Sequence, residues 1–178
     1  KIITPSTSFP CYHGFVVPGL RVGCHSHPSP LPLVPALATS CNSYFCWGLY
    51  KMIDNKKYLN SDSALTVWKD HMVSMGFGYK LGIDLSGEKR GLIPNAKFYD
   101  KIYGKGRWGG LRIIHTAIGQ GEILLTPLQI ANLGATIANR GHFRTPHVVR
   151  NIIGGRLDST YLYPKYTTID PKYYSYII

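Results

Sequence analysis

The stretch Thr126-Pro127-Leu128-Gln129-Ile130-Ala131-Asn132-Leu133-Gly134-Ala135-Thr136-Ile137-Ala138-Asn139-Arg140-Gly141 decides the fold class. Thr126 offers the side-chain oxygen of an N-cap. Pro127 suits the first helical position, where no backbone N–H is needed, and Gln129, three residues after Thr126, completes a capping box. Leu128, Ala131, Leu133, Ala135, Ile137 and Ala138 are expected to line a core face, with Gly141 as the left-handed stop. A helix with both ends written into its sequence anchors a helix-rich domain.

Working outward, Leu33 to Tyr50 is apolar on most faces, as in a buried helix or two joined helices. Leu65, Trp68, Met72 and Met75 repeat at three- and four-residue steps after Asp62, predicting an amphipathic helix that ends near Gly76. Gly82 to Gly121, rich in turn residues, reads as a long surface excursion. After Gly141, Arg144 to Ile153 reads as a strand carrying Val148, Val149, Ile152 and Ile153, and the tail from Tyr161 is Tyr-rich without a clear type. Residues 1–32 hold six of the twelve prolines, which excludes a regular helix and predicts a folded loop with turns. The organisation is thus a Pro-rich Cys/His loop (1–32), a helical part (33–145), and a strand with a Tyr-rich tail (146–178). The class is α/β, helix-rich, with most of any sheet absent.

The 178 residues carry 20 Lys+Arg against 9 Asp+Glu, a formal charge of +11, and 44 % are hydrophobic. That hydrophobicity excludes intrinsic disorder. No run reaches the roughly 18 apolar residues of a membrane span. The chain starts without an initiator Met or a signal-peptide core and stops on apolar residues, so it is expected to be a piece of a longer protein. The basic residues are scattered, the densest stretch being Lys101 to Arg112, and no nucleic-acid motif organises them. No nucleic-acid partner is expected; an anionic membrane surface or acidic polymer suits a basic face equally.

Four strings, in order, resemble the transpeptidase domain of class B penicillin-binding proteins of the penicillin-binding protein 2 (elongation) type, in a Bacteroidetes-like version. They are Ala38-Thr39-Ser40-Cys41-Asn42-Ser43-Tyr44-Phe45; Met75-Gly76-Phe77-Gly78 with Gly82-Ile83-Asp84-Leu85-Ser86-Gly87-Glu88; Ala117-Ile118-Gly119-Gln120-Gly121-Glu122 running into Thr126; and Ala138-Asn139-Arg140-Gly141 closing on Thr145-Pro146-His147-Val148-Val149. The resemblance implies a partial penicillin-binding transpeptidase (β-lactamase-like) domain lacking much of its central antiparallel sheet. Of the family's three motifs, only Ser-x-Asn is present. Ser86-Gly87-Glu88-Lys89 spells Ser-x-x-Lys, but it follows Ser-x-Asn and sits in a loop-forming context, whereas a nucleophile needs a helix start with its Lys one turn on. No Lys-[Ser/Thr]-Gly occurs.

The implied activity is serine acyl-enzyme D,D-transpeptidation. A nucleophilic serine outside this chain attacks the D-alanyl-D-alanine bond of a peptidoglycan stem peptide, an amine of a neighbouring strand resolves the ester, and β-lactams trap it. By resemblance Ser40 relays a proton between the general-base lysine and the amine, since a hydroxyl both donates and accepts, and Asn42 holds that lysine and the substrate amide. The residues alone read more simply as helix caps. The chain on its own is expected to be inactive. The implied setting is the periplasmic domain of a protein anchored in the bacterial inner membrane, with stem peptides, β-lactams and wall-elongation membrane proteins as partners. Two other readings are a non-catalytic, zinc-stapled interaction module of the wall-elongation machinery and a carboxypeptidase or β-lactamase-type enzyme.

Cys11, Cys24 and Cys41 fall with His13, His25 and His27 within 31 residues, and Cys46 follows one turn later. Thiolates and imidazoles in this number suit a tetrahedral structural zinc, with Cys11, Cys24, His27 and Cys41 as the expected ligands and His25 as the competitor of His27. Some relatives resemble this arrangement, with carboxylates in place of two thiols. A Cys11–Cys24 disulfide and buried free thiols are the alternatives. No organic cofactor is expected.

Overall fold

In the computed structural model, which describes residues 3–178, the order is β1 (Gly14–Val17), β2 (Leu20–Gly23), α1 (Leu33–Ala38), α2 (Asn42–Ile53), α3 (Ser61–Ser74), α4 (Ala96–Tyr103), a 3-10 turn at Ile114–Ile118, α5 (Pro127–Ala138), β3 (His142–Phe143), α6 (Ser159–Leu162), β4 (Lys165–Tyr166) and a 3-10 turn at Pro171–Tyr176. The strands form two antiparallel pairs, β1–β2 and β3–β4. No described helix is long and apolar enough to cross a membrane. Contacts divide the chain into two units: the segment ending at Val67 with Pro94–Glu122, and Trp68–Ile93 with Ile123–Ile178.

The first unit is built around α2. Phe15 of β1 and its cross-strand partner Val22 turn inward against Cys46, Ile114, Trp47 and Tyr50, with the Phe15 and Trp47 rings edge-on at 4.7 Å. A neighbouring cluster joins Phe9, Leu31, Ala36, Cys41 and Tyr44, with Cys11 and Cys24 packed on it. The Pro-rich segment is therefore more regular than its composition predicts, because a hairpin forms between its prolines. Gly14, at φ +146, makes the hairpin possible: a Cβ there would lie 2.2 Å from the Val22 carbonyl oxygen. The Gly82–Gly121 stretch is likewise not a plain surface excursion. It forms α4, capped by Asn95, and buries Tyr99, Trp108, Ile113 and Ile114. Asp54, at the end of α2, accepts the Gly110 N–H at 2.9 Å and ties this stretch down.

In the second unit α5 has the expected capping box: Thr126 accepts from the Gln129 N–H and Gln129 Oε1 accepts from the Thr126 N–H. Its buried face differs from the expected one. Gln129, Asn132 and Thr136 are buried, whereas Ala131, Ala135 and Ala138 are exposed. Hydrogen bonding is the reason. Gln129 donates to the Tyr79 carbonyl and Asn132 to the Met75 carbonyl, so α5 clasps the loop after α3 with amides. Met75, Phe77 and Ile93 supply the apolar core beside it, with Trp68, Met72, Leu125, Leu133 and Ile169.

The stop of α5 is also displaced by one residue. Arg140 takes the left-handed position (φ +56), and Gly141 follows at φ +105, where a Cβ would meet the Tyr174 ring at 2.8 Å. The strand expected over Arg144–Ile153 does not form; β3 ends at Phe143. Asp84 explains this. Its carboxylate accepts the backbone N–H groups of Val148 and Val149 at 2.8–3.0 Å, the donors a strand ladder needs. Of the tail, β4 pairs with β3.

Candidate functional site

The turn between α1 and α2 carries the Ser-x-Asn residues. At the end of α1 the Ser40 N–H bonds the Leu37 carbonyl and the Cys41 N–H bonds the Ala36 carbonyl at 2.8 Å. This is the Schellman pattern, whose left-handed residue is usually glycine. Here it is Ser40, at φ +52 and exposed. A side chain in that conformation costs about 1–2 kcal/mol, a strain that points to a use for the side chain. Gly76 fills the equivalent place after α3.

Cys41 follows as the N-cap of α2. It is fully buried, and its Sγ accepts the Tyr44 N–H at 3.4 Å. Ser40 and Cys41 thus turn to opposite sides of one bend. Asn42, half-buried at the first position of α2, donates Nδ2–H to the Gly23 carbonyl at 2.9 Å. Ser43, buried, donates to the Pro10 carbonyl at 2.8 Å. Gly23 and Pro10 immediately precede Cys24 and Cys11, so consecutive residues of the turn hold the backbone leading to each cysteine. Sequence reasoning missed Ser43. Its signal was a small hydroxyl beside Ser-x-Asn at a helix start, where such residues normally serve as caps.

The sulfurs of Cys11, Cys24 and Cys41 and a ring nitrogen of His27 all lie within 4.8 Å of one another. Zinc bonds of about 2.0–2.3 Å imply tetrahedral edges of roughly 3.4–3.8 Å. Cys24 Sγ stands 3.4 Å from His27 Nε2, already at that edge. His27 Nδ1–H donates to the Pro28 carbonyl at 2.7 Å, which leaves the Nε2 lone pair toward the cysteines, as in imidazoles that bind a metal through one nitrogen while a carbonyl holds the other. The donor set and spacing fit a structural zinc. His25 lies 3.9 Å from Cys24 Sγ and outside the group of four, as does Cys46, buried in the core. All four cysteines are free thiols.

The thiols differ in acidity. Burial pushes Cys41 up to about 11 and Cys46 up to about 12. Cys11 is also raised, by burial first and then by neighbouring Cys24. Burial acts upward on Cys24 too, but hydrogen bonds from His27 and from the Asn42 and Ser43 amides prevail and bring it below the ordinary thiol value. His27 is raised, by the Pro28 carbonyl first and then by Cys24. Of the four thiols, Cys24 alone is shifted toward the thiolate that a metal requires.

Ser86–Lys89 lies in a loop, as expected, with Ser86 exposed. Glu88 of that string accepts the Leu81, Gly82 and Ile83 N–H groups, which closes the loop from which Asp84 reaches Val148 and Val149.

Comparison with known proteins places this geometry in context. A family model described as the penicillin binding protein transpeptidase domain matches residues 1–177. Peptidoglycan D,D-transpeptidase MrdA of Acinetobacter baumannii is 33% identical over 121 residues, 68% of this chain and 16% of that protein. The protein of the same name from Salmonella typhimurium is 29% identical over 160 residues, 87% of this chain and 24% of its own length. The fold is similar to PBP2 of Pseudomonas aeruginosa in complex with WCK 5153 (TM-score 0.74, 24% identity, 99% of this chain and 37% of that one). It is also similar to Helicobacter pylori PBP2 in its complex with MreC (TM-score 0.72, 25% identity, 98% and 30%). The chain therefore spans a quarter or less of these two MrdA proteins.

Proposed function

Because the chain belongs to the penicillin-binding protein transpeptidase domain family, we propose that it supplies the Ser-x-Asn part of the active site of a penicillin-binding protein 2-like peptidoglycan D,D-transpeptidase, in a periplasmic domain of an inner-membrane-anchored protein. The observation that carries this reading is Ser40, exposed in the left-handed position of a Schellman turn where glycine would be unstrained. Its hydroxyl is free to pass a proton between the general-base lysine and the leaving or attacking amine. Asn42 has one Nδ2–H on the Gly23 carbonyl, which fixes the amide plane. Its Oδ1 and remaining N–H serve the lysine and the substrate amide.

Cys11, Cys24, His27 and Cys41 would hold a zinc ion, which when bound supplies a structural cross-link and no step of the reaction. The residues themselves set the catalytic turn: Cys41 anchors its back, while Asn42 and Ser43 hold the Pro-rich loop. Stem peptides and β-lactams are the ligands of this reading. The names of the relatives and the complex of a neighbour with MreC support it, including a wall-elongation partner. The test is labelling of the whole protein by a fluorescent penicillin. Wild type is expected to form a denaturation-resistant adduct, and Asn42→Ala to slow it by roughly 10²–10⁴-fold. Rapid acylation of Asn42→Ala would return the residue to a capping role.

A further inference from the structure

The acidic side chains of this chain do little to neutralise its cations. Asp54, Asp84, Glu88, Asp100, Glu122 and Asp158 all accept hydrogen bonds from uncharged donors, and among the described residues the one ion pair is Lys172–Asp170. The formal charge of +11 is therefore left largely without ion pairs among the described residues. In the second unit two of its cations meet at one aromatic ring. The Arg90 guanidinium lies 4.9 Å and the Lys69 ammonium 5.7 Å from the centroid of Tyr79, which is 47% exposed. Two like charges share one ring, and among the described residues neither makes an ion pair.

Beside this ring is a cavity of about 240 Å³ with an apolar floor of Val73, Phe77, Leu81 and Phe143 and two more cations, Lys80 and Lys165, in its lining. Lys165 Nζ is held by the Leu81 carbonyl at 3.2 Å. Glu88, which closes the loop through Leu81, is turned onto backbone amides, and Asp70, next to Lys69 in the chain, forms no ion pair among the described residues. Tyr79 itself is fixed from within, since its carbonyl accepts from buried Gln129 of α5.

We infer that Lys69, Tyr79 and Arg90, with the Lys80/Lys165 cavity, form a non-catalytic docking site for an acidic peptide, specifically the carboxylate-bearing part of a peptidoglycan stem. This rests on the function proposed above, which makes such a peptide the substrate polymer. A concave floor with cations at its edge accepts a short apolar residue and the carboxylates flanking it. A lipid surface instead needs a broad outward-facing apolar rim. A nucleic-acid base needs a free ring face, and the ring of Tyr79 already carries two cations. The arginine fork gives bidentate geometry to a carboxylate, and the cluster raises the local concentration of anionic peptide.

The experiment uses the whole protein with its active site blocked by penicillin. A labelled stem peptide lacking the terminal D-alanyl-D-alanine, with free carboxylates, is titrated against its fully amidated counterpart. The free acid is expected to bind at least tenfold more tightly, and Lys69→Ala/Arg90→Ala to lose about tenfold. Tyr79→Phe, which keeps the ring, is expected to bind like wild type, and the double variant to be acylated by penicillin at the wild-type rate. Equal binding of the amidated peptide, undiminished binding by the double variant, or displacement by equimolar inorganic phosphate or anionic vesicles would each overturn the assignment. Failure of the unblocked wild type to react with penicillin would instead overturn the proposed function, and the same titration on the unblocked protein would still report on the docking site.

Discussion

Replacing Ser40 by glycine separates its conformational role from its chemical one. Ser40 sits at φ +52 in a hydrogen-bonded turn that glycine adopts without strain. Relief of the left-handed penalty is about 1–2 kcal/mol, and glycine's greater freedom in the unfolded chain returns about 0.5–1 kcal/mol. The net is a stabilisation of about 0.5–1 kcal/mol. For a domain of this size that raises the melting temperature by about 1–4 °C. The same change deletes the hydroxyl, so penicillin acylation of the whole protein is expected to fall by roughly 10²–10⁴-fold. Ser40→Ala keeps the strain and loses the hydroxyl, so it should match the glycine variant in acylation while melting like wild type. Gly76→Ser is the mirror control. A Cβ there would lie 2.7 Å from Leu81 Cδ2 and 2.8 Å from Asn132 Nδ2, so the serine accepted at 40 is expected to be strongly destabilising at 76. Differential scanning fluorimetry and time-resolved labelling provide both readouts. A Ser40→Gly protein that melts lower, or that is acylated at the wild-type rate, would falsify the claim that strain is held there for the hydroxyl.

Ser43→Ala removes the bond to Pro10 and leaves a part-buried carbonyl unpaired, a loss of about 1–3 kcal/mol by chemical denaturation; an unchanged midpoint would show that Ser43 is not a strut. Zinc binding is expected to expel the protons that the raised Cys11 and Cys41 thiols carry at neutral pH, and on acidification that of the raised His27 imidazole, so affinity should fall by at least about 100-fold per unit of acidification. Chelator competition at two pH values reads this, and metal-free protein from a zinc-replete preparation would count against the site. Asp84 is held below the ordinary carboxylate range, first by the Val149 N–H and also by that of Val148. A depressed folded value means its contribution is present above the unfolded value near 3.9 and is lost as pH falls through the folded one. The protection factors of Val148 and Val149, taken against the intrinsic exchange rate at each pH, should therefore fall at acid pH and in Asp84→Asn at neutral pH, whereas unchanged protection in the variant would contradict the clamp. Gln129→Ala deletes both the capping-box return and the Tyr79 tether, and is expected to cost about 2–4 kcal/mol; a loss below 1 kcal/mol would mean that the amide face does not hold the loop.

What the sequence determined by itself is local or depends on residue type. The capping box at Thr126, the helical character of Leu33–Tyr50 and the start and stop of α3 depend on spacings within a turn or two. The donor set of Cys11, Cys24 and Cys41 with one histidine, His25 or His27, was legible because few other residue types gather in that way, and the family strings were legible because they are contiguous. The tertiary structure decided whatever rests on partners far along the chain. The polar inner face of α5 follows from carbonyls 50 and 57 residues away, which no hydrophobic pattern encodes. The missing strand at Arg144–Ile153 follows from a carboxylate 64 and 65 residues earlier that occupies its amides. His27 takes its place in the group, with His25 outside, because folding brings Cys11 and Cys41, 16 and 14 residues away along the chain, within 4.8 Å of its ring nitrogen. A buried amide or imidazole takes its role from the group it bonds, and folding alone brings that group within reach.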